Sequence, residues 1–359
     1  MLTPLVMVFG LSFLSLYLLR LLAFRIGLLD RPSERKHHAG AVPLVGGLSL
    51  YVCLMVYFLF YHHLDTVETI YILSISLLAL VGALDDKFDV SYKVRFFIQI
   101  MLALLMISTV EVELSYLGNM FGFGEIHLGI LSYPITLLAV IGAINAFNMV
   151  DGIDGLLGGL SIVTFSALGY LFGTSGATDL MLLCLIVIVA LVPYIIMNLG
   201  LIGKTRKVFM GDAGSMLIGF TAVWLLIKAT QPNFEPVMRP VTALWIIALP
   251  LMDMAAIMIR RVKRGDSPFK PDREHLHHIC QRAGLNANQT LTAICTVALS
   301  MTGIGLIGEN LQVPDLAMFG LFIIMFCAYY LALAHVWRLL TVIRRLVKKD
   351  KVFETEAKS

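Results

Sequence analysis

Five aspartates carry the chemistry that this sequence advertises. Asp151 and Asp154 stand three apart in NMVDGIDGL, each followed by glycine, between two long apolar runs. Asp85 and Asp86 are adjacent in ALDDKFD, and Asp212 lies in KVFMGDAGS. A charge at the centre of a spanning helix costs ~2.5–3.5 kcal/mol, so acids in such surroundings call for partners. Each has a plainer explanation when taken alone. Asp212 could cap a helix, with Ser215 three residues on; Asp151-Gly152 and Asp154-Gly155 could form turns; Asp85 and Asp86 could pair with Lys87 or Arg95. Together those explanations fare worse, because adjacent aspartates at a helix end repel each other. A divalent cation removes the repulsion. Mg²⁺ takes oxygen ligands and typically combines one or two carboxylates with substrate phosphates; no nearby Cys/His spacing suggests a softer metal. The same loops hold Lys87, Lys93, Arg95, Lys204, Arg206 and Lys207, so a phosphate-bearing substrate is expected.

Two further basic loops join them. RRVKRGDSPFKPDREHLHHICQRAG contains Arg273, His275, His277 and His278, which can donate hydrogen bonds to phosphate and sugar oxygens. A solvated positive loop with incidental histidines is the alternative. RPSERKHHAGAVPLVGG sets Arg35, Lys36, His37 and His38 before Pro43 and Gly46-Gly47; it is similar to the histidine loop, with topogenic charge and close helix packing as the competing explanation. Asp253, in ALPLMDMAAIMIRR, falls inside an apolar run. An intramembrane acid is a functional candidate by default, and a paired structural group is the competing explanation. Cys280 follows the histidines, but no second cysteine is near, so zinc is not expected.

The elements that position these residues are spans. Of 359 residues, 58% are hydrophobic and 14% charged, with a mean hydropathy of +0.86. About eleven apolar runs recur, near 3–24, 44–61, 69–84, 94–112, 130–148, 156–173, 180–202, 213–229, 241–259, 289–308 and 316–340. Runs of ~18 or more residues cross a ~30 Å hydrocarbon core, and continuous runs cross it as helices. The fold class predicted is an all-α polytopic membrane bundle of about eleven transmembrane helices. Residues 1–340 form one membrane unit, and 341–359 a basic tail suited to anionic headgroups. The first run lacks a basic n-region and a cleavage site, so it reads as a retained span. Four of the five cysteines lie within apolar runs, which argues against disulfides. With the N-terminus periplasmic, alternate connections hold 25 of the 27 Lys and Arg residues, leaving only Lys228 and Arg239 outside. The positive-inside bias thus puts the C-terminus and all five aspartates on the cytoplasmic side.

ALDDKFD, NAFNMVDGIDGL, KVFMGDAGS and PDREHLHH, in that order, resemble the signature loops of the polyprenyl-phosphate N-acetylhexosamine-1-phosphate transferases. The likeness runs from LDRP at residue 29 to the histidines near 278. HLHH is more similar to the branch that transfers GlcNAc-1-phosphate than to the phospho-MurNAc-pentapeptide branch. The resemblance implies ten or eleven helices around a cytoplasmic cleft in the bacterial inner membrane, often as homodimers. The implied reaction moves GlcNAc-1-phosphate from UDP-GlcNAc to undecaprenyl phosphate and releases UMP, with Mg²⁺ as cofactor and Mn²⁺ as the alternative. It would be the first membrane step of a cell-surface polysaccharide such as lipopolysaccharide O-antigen or enterobacterial common antigen. No nucleic-acid partner is expected. By the same resemblance Asp212 and Asn148 are metal ligands, and Asp85, Asp86, Lys93 and His275 form the catalytic set. Asp151, Asp154, Phe209, Arg273, His277 and His278 bind substrate, with Asp154 facing the uracil and Phe209 stacking on it.

The physics agrees with that assignment. A UDP-sugar and a lipid phosphate bring several negative charges together, so positioning and charge neutralisation are the main catalytic tasks. Direct attack by the lipid phosphate is the expected route, with Asp85 taking a residual proton or orienting the nucleophile and Asp86 supporting it. A covalent aspartyl-phosphate is the alternative. Another donor sugar is the nearest rival in substrate. The rival from another class is a transporter or flippase for an anionic lipid, for which Asp253 is the main argument.

Overall fold

The computed structural model describes residues 2–31, 40–62, 64–268 and 275–335. Arg273, the Arg35–His38 basic run and the tail 341–359 lie outside the described residues. Each apolar run is occupied by a helix. These are α1 (Leu2–Ile26), α2 (Gly46–Tyr61), α3 (Thr66–Phe88), α4 (Tyr92–Val110), α5 (Ser132–Val150), α6 (Leu156–Ser175), α7 (Thr178–Asn198), α8 (Gly211–Thr230), the pair α9 (Pro240–Ile246) and α10 (Ala248–Lys263), α12 (Ala287–Asn310) and α13 (Asp315–Ala334). A short helix, α11 (Leu276–Arg282), starts at the histidine cluster. Among the described residues nine helices are long and apolar enough to cross a membrane, and the α9–α10 pair is a tenth if the two count as one span. The apolar α2 has only 16 residues.

α8 is the axis of the bundle. Its most apolar window is 94% buried, against 17% for α13 and 22% for α1, which form the rim. Without a hydrophobic drive between helices in lipid, close backbone packing is the main source of association. Gly47 and Gly82 supply it: a Cβ on Gly47 would lie 2.1 Å from the Gly214 nitrogen, and one on Gly82 2.3 Å from Ala213 Cα. α2 and α3 therefore touch α8 backbone to backbone, at the level of the Asp212 motif.

The ninth run departs from the continuous span that its hydropathy predicts. α9 and α10 meet at 79°. Pro250 has no N–H for the Ile246 carbonyl four residues back, so the ladder opens there. The Thr164 hydroxyl on α6 and the Thr302 hydroxyl on α12 both donate to that carbonyl, each at 3.5 Å. Hydroxyl rescue of a broken backbone is how lipid-embedded helices tolerate proline.

Loops close both ends. At one end β1 (Leu29–Asp30) pairs antiparallel with β2 (Val42–Pro43). The Pro43 carbonyl accepts from Phe209 N–H at 2.9 Å, and the Phe209 carbonyl accepts from Gly46 N–H at 2.9 Å. The connection into α8 is thereby strapped to the connection into α2. At the opposite end Arg239 pairs with Glu309 at 3.3 Å and Asp315 at 2.9 Å, tying α9 to α12 and α13.

Candidate functional site

The sequence-predicted acids converge at the end of the bundle that carries the β1–β2 pair. Asp86, in the last turns of α3, reaches across to the start of α8. Its Oδ1 accepts from Asp212 N–H at 2.8 Å and its Oδ2 from Ala213 N–H at 3.4 Å. The first turn of any helix has orphan N–H groups, and its positive dipole end favours an anion. Asp212 thus does not cap α8 itself; Asp86 does so from another helix.

That capping frees the Asp212 carboxylate. Its Oδ1 accepts from the Asn148 amide at 2.6 Å, and its Oδ2 from Arg95 at 3.1 Å. Asn148, near the end of α5, also donates to the Ser215 hydroxyl at 2.8 Å. Arg95, in the first turns of α4, simultaneously pairs with the buried Asp85 at 2.7 Å. One guanidinium therefore bridges the acids of α3 and α8. Lys87, the other cation considered for that pairing, lies over the Phe88 ring instead, 4.9 Å from its centroid. Lys93 is exposed and makes no ion pair among the described residues.

The loop between α5 and α6 flanks this cluster. Asp154 forms an ion pair with Lys207. Gly155 N–H donates to Asn198 Oδ1 at 2.5 Å, while the Asn198 amide donates to the Val208 carbonyl at 2.9 Å. Asn198 thus fixes the DGIDG turn against the strand of chain that carries Phe209, which is itself partly buried. Crowding by surrounding protein, then the charges of Asp212 and Asp154, push the Asp151 carboxyl up to about 7, although part of its surface still meets solvent.

The histidine segment closes over the other side of that turn. His275 is 8% exposed and His277 3%, while His278 is only partly buried. The rings of His275 and His277 lie nearly parallel, 5.7 Å apart. A Cβ on Gly152 would fall 2.1 Å from the His277 ring, so only glycine lets the turn sit against it. Burial, reinforced by neighbouring His278 and His275 and opposed by Asp253, lowers His277 to about 3. The ring is therefore a neutral wedge at ordinary pH.

Asp85, Asp86, Asn148 and Asp212 are thus one connected network, with Asp151, Asp154, Phe209, His275 and His277 arranged around it. Two members were not among the individual site residues named from the sequence: Arg95, weighed as a partner for Asp85 and Asp86 and as one of several cations for a phosphate substrate, and Asn198. The signal for Asn198 was a lone amide ending an apolar run. The donors around Asp212 fit a hard divalent cation in kind, since the Asp212 carboxylate, the Ser215 hydroxyl and, after a turn of its amide, Asn148 all offer oxygen. Among the described residues no three His, Cys, Asp or Glu side chains form a closed metal site.

Comparison with known proteins adds a second line. Residues 68–230 match the family described as Glycosyl transferase family 4. A curated protein of Yersinia pestis named undecaprenyl-phosphate alpha-N-acetylglucosaminyl 1-phosphate transferase is 47% identical over 348 residues, covering 97% of this chain and 95% of that protein. Proteins of the same name from Escherichia coli K12 and Haemophilus influenzae are 44% and 46% identical, covering 97% and 95% of this chain and 95% and 96% of their own.

Proposed function

Because this chain belongs to the polyprenyl-phosphate N-acetylhexosamine-1-phosphate transferases of glycosyl transferase family 4, we propose that it transfers GlcNAc-1-phosphate from UDP-GlcNAc to undecaprenyl phosphate. It is a multi-pass membrane phosphoglycosyltransferase. The observation that carries the reading is the convergence of Asp85, Asp86, Asn148, Asp212 and Arg95, from four helices, at one end of the bundle. The positive-inside bias supports placing that end in the cytoplasm at a bacterial inner membrane, where a soluble nucleotide and a lipid phosphate can both arrive.

An oxygen of the lipid phosphate attacks the β-phosphorus of UDP-GlcNAc. The bond from that phosphorus to the bridging oxygen breaks, and UMP leaves with the oxygen. Both reactants are anions, so the protein's task is to neutralise and align them. Arg95 and Lys207 bring positive charge to the reacting groups. Asp85 orients the nucleophile, and Asp86 holds Asp212 in place through the start of α8. Asp154 and Phe209 face the base, and His275 meets the sugar-phosphate end. Asp212 and Asn148 would hold Mg²⁺, which would supply charge neutralisation when bound. So small a set of protein oxygens would suit an ion that binds substrate phosphates in preference to an all-protein cage.

The bent α9–α10 pair is the feature closest to a transporter, where interrupted helices bind ions. Here the opened Ile246 carbonyl is already taken by two hydroxyls, and Asp253 is engaged by neighbouring side chains, which favours the transferase. The test is UMP release by the purified protein in nanodiscs, with undecaprenyl phosphate, a panel of UDP-sugars, and Mg²⁺ or Mn²⁺ against chelator. UMP release dependent on UDP-GlcNAc, lipid and metal is expected. Lipid translocation without UMP release overturns the reading, and faster turnover of another sugar corrects the donor.

A further inference from the structure

Asp253 has no part in the steps above, yet it is among the most heavily engaged side chains of the protein. It is 2% exposed and sits on α10 three residues beyond Pro250. Three donors from two other elements converge on it. Its Oδ2 lies 2.8 Å from His275 Nδ1; its Oδ1 accepts from Leu276 N–H at 3.2 Å and from the Tyr329 hydroxyl at 2.7 Å.

The division of labour between the two oxygens is informative. Oδ1 takes a backbone N–H at the start of α11 and a phenol from α13, which fixes the carboxylate against the chain. Oδ2 is left for an imidazole nitrogen. A carboxylate accepts, so the proton in that contact resides on Nδ1. The hydrogen bond made by one ring nitrogen decides which nitrogen remains for other work. The parallel His277 ring packs near the His275 ring, and Gly152 backs His277. The imidazole is therefore held both at its edge and near its face.

We propose that Asp253 is a positioning residue for His275, fixing the proton on Nδ1 and leaving Nε2 to accept a hydrogen bond from a sugar hydroxyl at the sugar-phosphate end of the donor. The proposal rests on the reading that His275 meets that end of the donor. It makes the α9–α10 bend part of the site, because the bend aims α10. It also makes α13, the last described helix, a contributor through Tyr329.

The test uses the full-length protein in nanodiscs with ¹⁵N-histidine labelling. Two-bond nitrogen–proton correlations, followed over a pH series so that the neutral ring is observed, report which nitrogen carries the proton. The His275 signal is assigned by its loss in His275→Ala. Wild type is expected to show the Nδ1–H form. Asp253→Asn presents an amide that can donate to Nδ1, so the proton moves to Nε2. A kcat loss of about 100-fold or more is expected with it, the scale of losing one oriented hydrogen-bonding group at a reacting site, with a smaller change in KM for UDP-GlcNAc. Tyr329→Phe is expected to keep the Nδ1–H form with a milder loss in kcat. A merely structural role would lower the yield of folded protein but leave tautomer and kcat unmoved, and that result in Asp253→Asn overturns the proposal. If Asp253→Asn does not fold, the wild-type spectrum decides, and an Nε2–H form there overturns it. Full activity in His275→Ala overturns instead the reading of His275 on which the proposal rests, while the tautomer still tests its link to Asp253.

Discussion

Asp86 on α3 accepts the backbone N–H of Asp212 on α8 at 2.8 Å. One acid of the site thereby sets the position of another across 126 residues of sequence. Replacing Asp86 with Ala is expected to cost about 0.5–2 kcal/mol of stability, as for loss of other helix caps. It should also weaken the metal dependence of turnover, because Asp212 loses its anchor. Thermal melts and Mg²⁺ titrations of UMP release read the two effects. A shift in melting temperature with unchanged Mg²⁺ dependence would separate the cap from the site.

Arg95 bridges Asp85 and Asp212. Arg95→Ala leaves two carboxylates facing each other, one of them buried. An uncompensated polar partner costs about 1–3 kcal/mol, more when charged, so the variant should lose stability as well as most UMP release. Arg95→Lys keeps the charge, and both contacts run through a single guanidinium nitrogen, but a flexible ammonium is held less firmly in place than a planar guanidinium. It is expected to recover stability better than rate.

Gly152 lies against His277 with no room for a methyl group. Gly152→Ala should lower both melting temperature and activity. His277→Ala empties the space that the methyl needs. The double variant is therefore expected to be better than the sum of the singles, with a coupling of about 0.5–3 kcal/mol. Strict additivity in melts and turnover would show that the two residues do not touch.

His277 is held near 3, while an unfolded histidine titrates near 6.5. Between those values the unfolded chain binds a proton that the folded chain does not. Stability is therefore complete above about 6.5 and falls as pH drops toward 3. His277→Phe removes this contribution. Melting temperatures measured from pH 7.5 to 4.5 should fall less steeply in the variant than in wild type; parallel curves would contradict the burial of a neutral ring.

The apolar runs were readable because a lipid span leaves a long, uninterrupted signal, and each run holds a helix or the bent pair. The gathering of Asp85, Asp86, Asn148 and Asp212 was readable because their motifs fall at alternate run ends. The pairing of charges was not. Lys87 and Arg95 are equally eligible by spacing, and the approach of α4 to α8 selects Arg95. Pro250 was visible too, but proline is tolerated near a helix start. Only the fate of the Ile246 carbonyl reveals the bend, and its rescuers sit 82 and 56 residues away.

Arg95 and Lys207 are already occupied by carboxylates. On the proposed reading, recognition of an anion at this end of the bundle would be an exchange of counterions rather than the filling of a bare positive hole. A small monovalent anion such as chloride brings too little charge to displace an aspartate and gains no foothold. On the proposed reading, a pyrophosphate accompanied by a dication would trade on equal terms and would release both bases.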